Sequence, residues 1–164
     1  VASAGSGSTD PEAFHRGCQA TADRVMAQGM AALTQGYAQG PARVQLMRKD
    51  PKGYEEFYQG LASHSALGSA STFRGVQGTR PSIFTLEEKL HELLIPTLIL
   101  IGDEDEPCIE PAIFMKRHIP ASGLAVFPQS GHAINLEEPD LFNRTVLDFL
   151  TAVEADRWPE RERA

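Results

Sequence analysis

Two short segments hold the groups with the most chemical use. The first is Gly102-Asp103-Glu104-Asp105-Glu106-Pro107, and the second is Gln129-Ser130-Gly131-His132-Ala133. A carboxylate in one loop and a histidine in the next can meet across adjacent strands. A buried carboxylate that accepts from one imidazole nitrogen fixes the tautomer, and the other nitrogen is left to take a proton from a nucleophile. That is the acid–base pair of a triad in the chain order Ser…Asp/Glu…His. Gly131 would let the backbone turn tightly just before the histidine. A plainer reading stands beside this one. An acid cluster after a strand is often a solvated turn, and a lone loop histidine is usually a surface residue.

The elements around these loops decide whether they can meet. Pro96-Thr97-Leu98-Ile99-Leu100-Ile101-Gly102 is a nearly continuous apolar run. It reads as a strand buried on both faces, as in a parallel sheet covered by helices. Residues 110–118 read as a helix, and Gly123–Phe127 as a second strand ended by Pro128. Pro139 opens a last helix with Phe142, Val146, Phe149, Leu150 and Val153 on one stripe. A short helix around Leu86, Leu90, Leu93 and Leu94 precedes the first strand. Such alternation argues for an α/β layered sheet with parallel strands, and in open α/β sheets functional groups collect past the C-terminal strand ends.

Upstream, the chain reads as helical. Asp10-Pro11-Glu12 is a helix start, with a capping carboxylate, Pro at the first position and an acid in the first turn. Residues 12–39 read as two helices interrupted by glycines. Asp50-Pro51 starts another, with Tyr54, Phe57, Tyr58 and Leu61 on one face, and residues 66–77 carry a further short segment.

From Ile95 to Trp158 the chain resembles the C-terminal part of α/β-hydrolases. The matching features are PTLILIGDEDEP, then IPASGLAVFPQSGHAINLEEPDLFN, then an amphipathic helix containing DFL. The resemblance implies a partial α/β-hydrolase fold, with a helical cap followed by the last two parallel strands and their helices. It implies Asp105, three residues after the strand-ending glycine, as triad acid and His132 as triad base, with Asp103 the main competitor for the acid. Residues 1–9 would be the end of a core strand and its loop, 10–94 the cap region, 95–158 the C-terminal core and 159–164 a tail.

One departure from the family is large. Its nucleophile sits in a G-x-S-x-G elbow, and no serine or cysteine here has that surrounding. Ser6 lacks the flanking glycines at the required spacing, and Ser130 reads as a turn residue. The oxyanion-hole segment is absent as well. The chain begins with Val1 rather than Met, so an N-terminal half of roughly 100 residues is expected to carry both, with Val1-Ala2 the last residues of a core strand. The function expected of the whole is hydrolysis of an ester or similar acyl bond of a small molecule, and the 164-residue chain alone is expected to be inactive. The alternative is a non-catalytic binding or interaction module that self-associates through an exposed sheet edge.

Composition narrows the rest. The formal charge of -7 and its scattered distribution argue against nucleic acid and anionic membranes. No apolar run approaches the roughly 18 residues of a spanning helix. Cys18 and Cys108 form no framework, which suits a reducing, cytoplasmic setting. His15-x-x-Cys18 could share a helix face, but no second pair completes a metal site. No glycine-rich phosphate loop is present. Neither a metal nor a cofactor is expected.

Overall fold

The computed structural model describes residues 6–161. They divide into two compact units, one ending at Thr85 and one starting at Leu86. The strand end expected at Val1-Ala2 and the last three residues of the tail lie outside the described residues.

The first unit is helical. Helix α1 (Pro11–Gln28) starts as its sequence dictates: the Asp10 carboxylate accepts the Ala13 N–H at 2.9 Å, and Pro11 needs no donor there. It stops at Gly29, whose φ of 72° suits glycine. Helix α2 (Ala31–Tyr37) follows, and a 3₁₀ turn over Pro41–Arg43 leads into α3 (Val44–Lys49), a short helix the sequence pattern did not signal. Helix α4 (Pro51–Ala62) repeats the Asp-Pro start, with Asp50 accepting the Gly53 N–H at 2.9 Å. Its expected face of Tyr54, Phe57, Tyr58 and Leu61 is the half-buried one. Helix α5 (Ala66–Thr72) runs on as a π turn over Phe73–Gln77. Ala22, Val25, Met30 and Ala70 form the core, and the two alanines let α1 and α5 approach closely. Ser6 makes one parallel bridge to Ser82, donating to the Pro81 carbonyl and accepting from the Ile83 N–H, both at 2.8 Å.

The second unit alternates as expected over α6 (Glu87–His91), β1 (Thr97–Gly102), α7 (Glu106–His118), β2 (Ser122–Phe127) and the last helix, α9 (Pro139–Glu154), with a short helix before it, α8 (Ile134–Glu137), that the sequence pattern did not signal. The strands pair in parallel from Thr97↔Ser122 to Gly102↔Phe127, and α7 is the crossover between them. It begins at Glu106, four residues before the expected start. Pro107 is tolerated because the first-turn N–H groups have no intrahelical acceptor. Ile99, Ile101 and Ala112 form the core, with Cys108, Met115 and Leu124 packed on it. Burial of β1 is therefore one-sided, not two-sided as its apolar run suggested. On the other face, Leu98 lines a groove of about 330 Å³ with Gly123, Phe149 and Trp158. The last residues are pinned back on this unit: the Trp158 indole N–H donates to the Ala121 carbonyl at 2.9 Å and the Arg161 N–H to Pro120 at 3.1 Å. No helix among the described residues is long and apolar enough to cross a membrane.

The end of β1 admits only glycine. A Cβ at Gly102 would lie 2.2 Å from the Ser130 carbonyl oxygen and 2.3 Å from that of Gly131. These are backbone atoms and cannot swing aside. Gly102→Ala is expected to lower unfolding stability in urea by about 3 kcal/mol. Gly17→Ala, mid-helix with nothing within 4 Å of the new Cβ, should raise it by about 1 kcal/mol. Equal effects from the two would remove the close-approach argument.

Candidate active site

The two loops singled out above lie side by side because β1 and β2 end in register at Gly102↔Phe127. Backbone bonds then stitch them. The Asp103 N–H donates to the Phe127 carbonyl at 3.0 Å, and the Glu104 N–H to the Ser130 carbonyl at 2.9 Å. Asp103 Oδ1 accepts the Ser130 N–H at 3.1 Å. Asp103, the competitor for the acid position, is thus a staple between loops. Ser130 is fully buried, with its hydroxyl on the Pro128 carbonyl, in keeping with a turn residue. The left-handed residue of this loop is Gln129, at φ 51°.

Asp105 is the carboxylate that reaches the histidine. His132 Nδ1 and Asp105 Oδ2 are 2.6 Å apart. A carboxylate only accepts, so Nδ1 carries a proton, and in the neutral ring the lone pair is then on Nε2. The Asp105 side chain is 8 % exposed and that of His132 47 %, which places a buried acid behind an accessible base. Asp105 sits at the N-cap of α7 but does not cap it through its side chain. Cys108 Sγ lies within 4.8 Å of ligand atoms of both residues, while its side chain packs on the Ile99–Ala112 core.

Sequence reading missed Glu137. Its carboxylate, buried at the end of α8, accepts the Gly131 N–H through Oε2 and the Ala133 N–H through Oε1 at 3.0 Å. It therefore clamps the backbone on both sides of His132. Ala133 is the N-cap of α8, so the glutamate reaches back to an otherwise orphaned donor, much as in a capping box. The available signal was the first of two acids, Glu137-Glu138, five residues past the histidine.

His15 and Cys18 do face the same way, but each is otherwise engaged. His15 Nδ1 is 3.0 Å from the Gly78 carbonyl, and burial pushes the Cys18 thiol up against the pull of the Arg80 charge. The thiolate a metal would need is disfavoured there.

No family model matches the chain. Similar proteins do exist. A 3-oxoadipate enol-lactonase 1 of Acinetobacter baylyi is 28% identical over 139 residues, covering 84% of this chain and 50% of that protein. The structure of MenH from S. aureus superposes with a TM-score of 0.79 at 25% identity, over 86% of this chain and 52% of that one. These relatives share one fold. The chain carries part of an α/β-hydrolase fold. A second α/β-hydrolase structure, a thermophilic esterase from Thermogutta terrifontis, superposes with a TM-score of 0.75 at 27% identity, over 88% of this chain and 52% of that one. The chain spans about half the length of each of these three α/β-hydrolases.

The Glu137 clamp is testable apart from any activity. Glu137→Gln keeps the volume but turns an amide toward one of the two backbone donors. It should cost about 1–3 kcal/mol and speed amide hydrogen exchange at Gly131 and Ala133 beyond the rest of the unit. Unchanged protection at both amides would show that the clamp does not hold the loop.

Proposed function

We propose that this chain supplies the acid and the base of a Ser-His-Asp triad in a hydrolase that cleaves an ester or similar acyl bond of a small molecule. The Asp105–His132 hydrogen bond of 2.6 Å carries the proposal, and the likeness to an esterase and an enol-lactonase supports the bond type. The nucleophile comes from residues outside these 164, because no G-x-S-x-G elbow occurs in them. In the first step His132 Nε2 takes the proton of the attacking hydroxyl, and Asp105 stabilises the imidazolium. That proton then passes to the leaving alkoxide. The acyl group is then esterified to the nucleophile; water, deprotonated by the same nitrogen, attacks it, and the nucleophile's oxygen takes that proton back as the acid leaves. Substrate choice falls to the helical unit, acting as a cap. Two cysteines, Cys18 and Cys108, that form no disulfide suit a reducing, cytoplasmic setting.

A second reading, a non-catalytic module that associates with another chain, draws on the β1–β2 sheet and the groove beside Phe149 and Trp158. A stable monomer that binds no apolar dye would count against it.

Kinetics separate the two. On a p-nitrophenyl ester the 164-residue chain should show no turnover above buffer. A protein extended upstream to include an elbow should turn over, and His132→Ala or Asp105→Asn should each lower kcat by about a thousandfold or more. Asp103→Asn, assayed under conditions where it remains folded, should keep kcat. Turnover by the short chain that His132→Ala abolishes would sink the proposal, as would an Asp103→Asn loss matching that of Asp105→Asn.

A further inference from the structure

A second cluster of ligating side chains lies away from the two catalytic loops in sequence, and the triad has no use for it. Glu87 and His91 are one turn apart on α6, a spacing that puts both on one helix face. His118 is the last residue of α7, which packs against α6. His118 Nδ1 is 3.1 Å from His91 Nε2 and 3.5 Å from Glu87 Oε1, and His91 Nε2 is 3.8 Å from Glu87 Oε1. The two imidazoles meet edge to face, with centroids 4.9 Å apart, and the Phe114 ring packs 4.2 Å from that of His118.

We propose that Glu87, His91 and His118 bind a divalent transition metal ion of the zinc class. Ligand bonds of about 2.0–2.1 Å in a tetrahedral site place the ligand atoms roughly 3.3–3.5 Å apart. The three spacings above straddle that range, so small rotations of the exposed Glu87 and His91 side chains about the half-buried His118 suffice. Two imidazoles and one carboxylate form a donor set suited to zinc, cobalt or nickel and unlike the all-oxygen sets of calcium and magnesium. A fourth position is left for water. The C-terminus of the thirteen-residue α7 adds carbonyl dipoles that favour a cation near His118. Such an ion would clamp α6 to α7 and so stiffen the approach to β1. Sequence reading weighed only His15 and Cys18 for a metal; His118 stands 27 residues from His91, which is no short-spacing motif.

The test uses the full 164-residue chain without an affinity tag, freed of metal with a chelator. Zinc chloride is titrated by calorimetry, and cobalt chloride by visible absorption. One equivalent should bind, with a tetrahedral cobalt band and a melting temperature raised by about 5 °C or more at a hundredfold excess over Kd. His91→Ala and His118→Ala should abolish the band, and Glu87→Gln should weaken binding by about tenfold or more. All three side chains are at least partly exposed, and circular dichroism checks that each variant folds. Asp105, Cys108 and His132 also cluster, so His132→Ala and Cys108→Ala serve as controls and should retain the band. No saturable binding, binding that survives both His91→Ala and His118→Ala, or loss only in the His132→Ala control would each overturn the proposal.

Discussion

The site depends on one close backbone approach. Gly102 ends β1 against the carbonyls of Ser130 and Gly131, at a distance no side chain permits. That contact brings the loop after β1 and the loop after β2 near enough for the Glu104 N–H to reach the Ser130 carbonyl and the Asp103 carboxylate to reach the Ser130 N–H. A wider separation would leave both donors without these partners and carry Asp105 away from His132. The parallel register, fixed over six residue pairs, sets where along the sheet this meeting occurs. A residue with no side chain thus governs the geometry of two that have one.

Asp105 can serve His132 because its helix makes little demand on its side chain. An aspartate at an N-cap ordinarily accepts an N–H from the first turn, as Asp10 and Asp50 do. In α7 the second position is Pro107, which has no N–H, and the Cys108 N–H is taken by the Asp105 main-chain carbonyl at 2.8 Å. The carboxylate is then spared for the imidazole. The same Asp-x-Pro start that opens a helix here leaves no side-chain cap bond on this buried acid.

Much of this was legible in the sequence, and the limits are physical. Asp-Pro starts at residues 10 and 50, the β-branched run ending at Gly102 and the stripe on α9 all rest on local pattern, and each appears where that pattern points. The pairing of Asp105 with His132 was legible only through likeness to a family, because spacing alone could not separate Asp105 from Asp103. Glu137 was missed because its partners are backbone N–H groups, which leave no mark in composition. Helix α3 was missed because six residues are too few to show a period. The early start of α7 carries Pro107 and Pro111, a residue type that interrupts helix interiors, although at Pro107 it tolerates a helix start. One-sided burial of β1 was beyond reach, since an apolar run does not say which of its faces another layer covers.

How His132 is held bears on what it can do. Its backbone is clamped from both sides by Glu137, so the loop loses little further freedom when a reacting group arrives. Its ring, by contrast, has one strong partner, the Asp105 carboxylate on Nδ1. An imidazole fixed in this way has a set position and, when neutral, a set tautomer. Preorganisation of that kind costs nothing at the moment of reaction, and here it is built from groups within a single unit of 79 residues, Leu86–Ala164. The Asp105–His132 pairing is therefore a property of this unit's own fold.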